Sequence, residues 1–229
     1  MKKLLLALAG VSALALPSVA NAQQAQITDG SIVLPVPGSN DFQTQLASVG
    51  LTAFTAGTGT NITLTGPATL VFTYMGSESG FRDNFTATSL SGPIFYQELS
   101  TSVDNQWSGG GTGGGIPIGS GLFAGGSLSP YLLFSSLDAG AIPSMLGSFG
   151  FGVFLPNPNS VGYTTNTFYL GYDDQAANPD DNHDDIIIRV QVLSPVPEPA
   201  TWAMMLIGFA AIGVALRRRR KAKAISQLA

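Results

Sequence analysis

Between Ser31 and Leu193 the apolar residues fall in short runs that alternate with polar ones and are closed off by glycine, proline or asparagine. Alternation with a period of two marks a strand with one buried face. On that pattern strands are predicted over Ser31–Val36, Leu51–Ala56, Asn61–Thr65, Thr69–Met75, Phe85–Leu90, Ile94–Leu99, Tyr131–Ser135, Phe149–Leu155 and Thr167–Tyr172. The last strand is the clearest: Ile186, Ile188, Val190 and Val192 alternate with Ile187, Arg189, Gln191 and Leu193. Gln23–Gly30 reads as a polar, frayed lead-in, Gly38–Gln45 as turn and loop, and Pro143–Leu146 as a short helical turn. No long stretch repeats at 3.6 residues. The pattern predicts an all-β domain, a β-sandwich with jelly-roll-like connections, with an up-and-down barrel as the alternative.

Two runs break the pattern because they are long, mainly apolar and carry no charge. Leu4–Leu16 follows Lys2 and Lys3 and precedes Ala20-Asn21-Ala22. A basic start, a short apolar stretch and small residues at Ala20 and Ala22 predict a signal peptide cut by signal peptidase after Ala22. The second run, from Ala200 to Leu216, carries no charge and would make a helix of roughly 25 Å, near the lower limit for a bilayer span. It stops at Arg217, Arg218, Arg219 and Arg220, with Lys221 and Lys223 beyond. Basic residues on one flank predict that this end stays in the cytoplasm. The parts are then a signal peptide over 1–22, an exported domain over 23–196, a sorting and anchoring segment over 197–223 with its span at 200–216, and a cytoplasmic tail over 224–229.

Charge sharpens this division. The chain carries −4, but eight of its ten basic residues lie in the two targeting segments. Only Arg82 and Arg189 remain in the domain, against thirteen acidic residues, so the exported part carries about −11. Nucleic acid is a poor partner for such a surface, and cations are a better one. The chain has no cysteine, so no disulfide supports the sheets. The glycine-rich stretch Ser108–Gly115 lacks the lysine of a phosphate-binding loop and reads as a surface loop.

The tail reads Pro197-Glu198-Pro199-Ala200-Thr201-Trp202-Ala203-Met204-Met205-Leu206, and continues through Gly208-Phe209 and Gly213 to the arginines. The order of Pro-Glu-Pro, short span and basic stop resembles the PEP-CTERM sorting signal of Gram-negative bacteria. That resemblance implies that an exosortase, a membrane-embedded enzyme, recognises Pro197, Glu198 and Pro199 and processes the tail. The two prolines fix φ and keep the segment extended, which suits recognition. Use in the cell envelope or exopolysaccharide matrix is also implied. The domain would stand in the periplasm while anchored to the inner membrane, and the mature form at the surface or outside the cell.

The densest set of potential ligands lies between the last two strands. Asp173, Asp174, Asp180, Asp181, Asp184 and Asp185 put six carboxylates into thirteen residues, with Asn182 and His183 among them. Such charges repel one another unless a hard cation relieves them, and Ca²⁺ tolerates the irregular oxygen geometry of a loop. The candidate Ca²⁺ ligands are Asp173, Asp174, Asp180, Asn182, Asp184 and Asp185. The glycine and distal glutamate of an EF-hand are missing, and a plain solvated acidic loop is the other reading. Gly171-Tyr172-Asp173-Asp174 with Asp180–Asp185, and Glu78-Ser79-Gly80-Phe81-Arg82-Asp83-Asn84-Phe85 earlier, resemble two segments of DUF4114-type β-sandwich domains. That resemblance implies a Ca²⁺ site and a non-catalytic extracellular role.

Catalysis has little to build on. His183 is the only histidine, and no Gly-x-Ser-x-Gly elbow accompanies it. One histidine without cysteine is too few ligands for zinc. An exported hydrolase using Glu78 or Glu98 with an aspartate is the remaining enzyme reading. A Ca²⁺-dependent carbohydrate-binding or adhesion module, with Trp107 and Tyr96 as stacking surfaces, is the binding alternative. The expectation is a non-enzymatic exported protein.

Overall fold

The computed structural model describes residues 24–98, 107–108, 114–138, 143–160, 162–174, 182–194, 204–214 and 216–217. The strands in chain order are β1 (Ala25–Thr28), β2 (Ile32–Pro35), β3 (Ala53–Ala56), β4 (Asn61–Leu64), β5 (Ala68–Gly76), β6 (Asp83–Ser89) and β7 (Gly92–Gln97). They continue with β8 (Ile116–Phe123), β9 (Gly126–Ser127), β10 (Leu132–Ser136), β11 (Ser144–Met145), β12 (Phe151–Leu155), β13 (Thr164–Thr165), β14 (Thr167–Tyr172) and β15 (Ile186–Leu193). One short helix, α1 (Gln43–Ser48), interrupts them.

All pairings are antiparallel and form three sheets. A seven-stranded sheet runs β2-β3-β12-β14-β15-β5-β8, and two four-stranded sheets run β13-β1-β4-β9 and β11-β10-β6-β7. β3 beside β12 and β15 beside β5 are distant in sequence, so this is not the up-and-down barrel in which successive strands pair. The three sheets enclose one core. Leu70, Phe72, Val153 and Ile188 reach it from the large sheet, Ile27 and Ile62 from one small sheet, and Phe85 and Phe134 from the other. Aromatic contacts cross the layer: Phe72 meets Phe85 at 5.4 Å between centroids, and Phe134 stacks on Tyr172 at 5.2 Å.

The alternation in β15 does what its sequence predicts: Ile186, Ile188, Val190 and Val192 enter this core. Its other face is also covered. Ile187 joins Phe42, Leu46, Phe54, Met75, Phe154 and Tyr169 in a second apolar cluster, with Trp107 against it. α1 supplies Leu46 to that cluster, and Phe42 and Trp107 stand 5.4 Å apart. A strand buried on both faces reads as a near-continuous apolar run, which is why Ile186-Ile187-Ile188 stands together.

Several expectations are corrected. Gln23–Gly30 is not frayed over its length, because β1 pairs with β4 and β13 and buries Ala25 and Ile27 completely. The loop expected over Gly38–Gln45 runs into α1, since Phe42 and Leu46 have an apolar cluster to join. The helical turn expected near Pro143 is the strand β11, paired with Leu133 and Phe134. β8 was masked by Pro117, Gly119 and Gly121. It lies at the sheet edge, where proline is tolerated. Gly121 is needed there, because a Cβ would stand 2.5 Å from Ser89 of the neighbouring hairpin.

In the tail, residues 204–214 are helical and exposed throughout. Among the described residues no helix is long and apolar enough to cross a membrane. Ala20, Ala22, Pro197, Glu198, Pro199, the first residues of the expected span, and Arg218, Arg219 and Arg220 lie outside the described residues, as does most of the glycine-rich stretch. Arg217 falls in the helical part and is exposed.

Candidate functional site: a buried acidic end

Five strand ends meet at one end of the sandwich. β5 leaves at Ser77, β6 enters at Asp83, β7 leaves at Glu98, β14 leaves at Asp173, and β15 enters after Asp185. The acidic loop is closed at its base by backbone. Asp185 N–H donates to the Tyr172 carbonyl at 3.2 Å, and Asp174 N–H donates to Asp185 Oδ2 at 2.7 Å. The segment after β5 is tied to the same place. Ser79 Oγ donates to Asp174 Oδ2 at 2.7 Å, and Glu78 N–H donates to the Asp184 carbonyl at 3.1 Å. The stretches around Glu78 and Asp174 are thus adjacent in space, although about ninety residues separate them.

Asp83, Glu98, Asp174 and Asp185 are all buried, with exposures of 0, 3, 1 and 7%. Asp83 N–H donates to Glu98 Oε2 at 3.2 Å, and Tyr74 O–H donates to Glu98 Oε1 at 3.4 Å. Tyr96, half-buried, stacks on Tyr74 at 4.6 Å between ring centroids. Neither carboxylate oxygen of Asp83 has a hydrogen-bond donor among the described residues. The nearby hydroxyls of Ser79 and Ser136 donate elsewhere, to Asp174 Oδ2 and to the Arg82 carbonyl.

Burial dominates the electrostatics. It pushes the Asp83 carboxyl up to about 8, with the Asp174 and Glu98 charges adding to the rise. Burial, and then the Asp174 charge, lifts Asp185 to about 9. Burial lifts Glu98 to about 7 against the hydrogen bonds that favour its charged form. At neutral pH the centre therefore holds protons, which is how close carboxyls avoid mutual repulsion in a dry site. Arg82 does not neutralise it. Its guanidinium is engaged with Asp138 at 2.8 Å, where the hydrogen bond holds that carboxyl below its usual range.

The remaining loop residues face a different way. Asp184 Oδ2 accepts from Asp41 N–H at 2.7 Å, and the Asn182 carbonyl accepts from Asn40 Nδ2 at 2.7 Å. His183 sits between, with φ at 56°, its ring 4.6 Å from Phe54 and its Nε2 2.8 Å from the Phe149 carbonyl. Glycine is required beneath it: a Cβ on Gly152 would meet the imidazole at 2.7 Å, and one on Gly171 would collide with the His183 carbonyl. Of the six candidate Ca²⁺ ligands, then, Asp174 and Asp185 join Asp83 and Glu98, while Asp184 and Asn182 hold the loop ahead of α1. Asp173 acts by charge on Asp185, and Asp180 lies outside the described residues. Among the described residues no three His, Asp or Glu side chains close on one point as a metal cage. Asp83 and Glu98 were not read from the sequence as partners of the loop, because neither lies in an acidic run.

Known proteins add one finding, at the other end of β15. Residues 195–220 match the model of the PEP-CTERM protein-sorting motif. No curated protein and no solved structure matches the chain. The class is thus an all-β domain carried ahead of a sorting tail. The motif marks this chain as an exported, exosortase-targeted protein whose precursor is anchored in the membrane.

Proposed function

We propose that the chain is a non-enzymatic structural protein of the cell envelope or exopolysaccharide matrix, released from its membrane anchor by exosortase. The observation that carries this reading is the sorting motif, which begins two residues after β15 ends at Leu193. The sandwich is thus the cargo. A leader cut by signal peptidase after Ala22 would bring it into the periplasm, and the mature form would stand at the surface or outside the cell. The non-enzymatic part is supported by His183, which is only 2% exposed and committed to a backbone carbonyl. Glu98 and Asp83 are likewise buried rather than presented in a cleft. Deleting Pro197–Pro199 should leave export intact and accumulate the unprocessed precursor on immunoblots. Normal maturation of that deletion would overturn the reading.

A second reading makes the same cargo a Ca²⁺-dependent binding or adhesion module. Asp83 favours it: buried without a donor, it can ionise only at a cost, and a hard cation is a partner that would let it release its proton. Such an ion would have to draw Asp83, Asp174 and Asp185 together, with Asp180 and backbone oxygens completing the shell. Titrating Ca²⁺ into the exported protein should raise its melting temperature, by the equivalent of about 2.7 kcal/mol at a hundredfold excess over Kd. Asp83→Asn should weaken that response. A melting temperature and heat signal unmoved by Ca²⁺ would dismiss the ion.

A further inference from the structure

The sandwich has two unlike ends, and β15 joins them. It runs from the acidic end at Asp185 to Leu193, about 23 Å at strand rise. Asp83, Glu98, Asp138, Asp173, Asp174 and Asp185 all lie at its first end. At its last end Leu193 stands in register with Thr69, and Thr69 with Leu122. Register partners in a sheet share a face, so the two leucines form one row across three strands. Leu90, at the tip of the β6–β7 hairpin, is tied by its backbone to the end of this row, donating its N–H to the Leu122 carbonyl at 2.9 Å. Leu193, Leu122 and Leu90 are 50, 41 and 66% exposed. The turns around them, 65–67, 90–91, 124–125 and residue 166, contain no charged residue.

The chain leaves the domain from this end. Five residues, 195–199, separate Ser194 from the apolar run that starts at Ala200. Fully extended, they reach at most about 20 Å. The end that carries the leucines is therefore the end held nearest the bilayer, and the end that carries the buried acids is held farthest from it. Other exposed apolar side chains do not fit: Phe149 lies by the His183 turn, and Phe95 on the outer face of a small sheet.

We propose that Leu90, Leu122 and Leu193 form a lipid-docking face on which the precursor rests against the membrane that anchors it, with the acidic end held outward. The proposal rests on membrane anchoring by residues 195–220. Docking would hold the Pro-Glu-Pro segment at the lipid surface, and it would end once the tail is cut, since three leucines alone give only weak, reversible attachment.

The absence of cysteine makes the test direct. Leu90→Cys, Leu122→Cys and, as a control of similar exposure at the acidic end, Leu137→Cys are each labelled with an environment-sensitive fluorophore. The full chain is then reconstituted into phosphatidylethanolamine–phosphatidylglycerol vesicles containing headgroup-level spin-labelled lipid. Labels at 90 and 122 should be blue-shifted and quenched at least twofold more than the label at 137. Equal quenching at all three positions, in protein that floats with the vesicles, would overturn the docking face. Self-quenching at 90 and 122 without lipid quenching would also overturn it, by showing that a second copy covers the leucines. Failure of the chain to float would instead remove the anchoring on which the proposal stands.

Discussion

Truncating Phe134 to alanine is expected to destabilise the sandwich by about 3–5 kcal/mol, a large part of the ~5–15 kcal/mol by which domains of this kind are stable. Phe134 is fully buried and touches aromatic rings from three other strands: Phe85 at 5.2 Å, Phe151 at 4.9 Å and Tyr172 at 5.2 Å, the last nearly parallel. Removing it opens a cavity that neighbours on rigid, hydrogen-bonded strands cannot collapse to fill. It also unseats Tyr172, whose carbonyl fixes the base of the acidic loop. Urea denaturation of the processed protein is the measurement. Phe95→Ala, on the solvent side of the same sheet at 55% exposure, serves as comparison and should change stability by less than about 1 kcal/mol. Similar losses for the two substitutions would mean that the core is not centred on Phe134.

The strands around that ring were legible wherever the apolar pattern was dense. Thr167–Tyr172 was bounded to the residue, and β5 and β15 to within one or two. The failures have physical causes. β1 buries only Ala25 and Ile27, too little apolar surface to register as a pattern, and is held by its neighbours' hydrogen bonds. β8 is written in glycine and proline because its edge must approach the β6–β7 hairpin closely, so its sequence looks like a loop. α1 is six residues long and exists because Phe42 and Leu46 cap the outer face of the large sheet, a surface no local pattern announces. The acidic loop was visible as a run of carboxylates, but its grouping was not. Asp184 and Asp185 are adjacent in sequence and face different partners, and Asp83 arrives from a strand ninety residues earlier. Only pairing in space brings Asp83 to Asp174.

That grouping gives the domain an unusual response to pH. Folded, Asp83 keeps its proton up to about pH 8, Asp185 to about 9 and Glu98 to about 7, all raised first by burial. Unfolded, the same groups release protons near the ordinary values of 3.8 for aspartate and 4.5 for glutamate. Below about pH 3 both states are protonated, and the contribution to stability is fully present. Above that, unfolding releases protons, so stability falls as pH rises, by about 1.4 kcal/mol per pH unit for each carboxyl that only the folded state keeps protonated. The loss is complete once pH passes the folded values. The exposed Arg82–Asp138 pair works in the opposite direction, but water screens it. In chelator, the melting temperature should therefore decline steadily from pH 5 to pH 9, against the usual trend of acid denaturation. Asp83→Asn keeps the shape and removes one ionisation, so its decline should be shallower and its melting temperature at pH 8 higher than that of the unmodified protein. A melting temperature that rises between pH 5 and pH 8 would show that these carboxyls are ionised in the folded state. It would place their relief in a partner other than the proton.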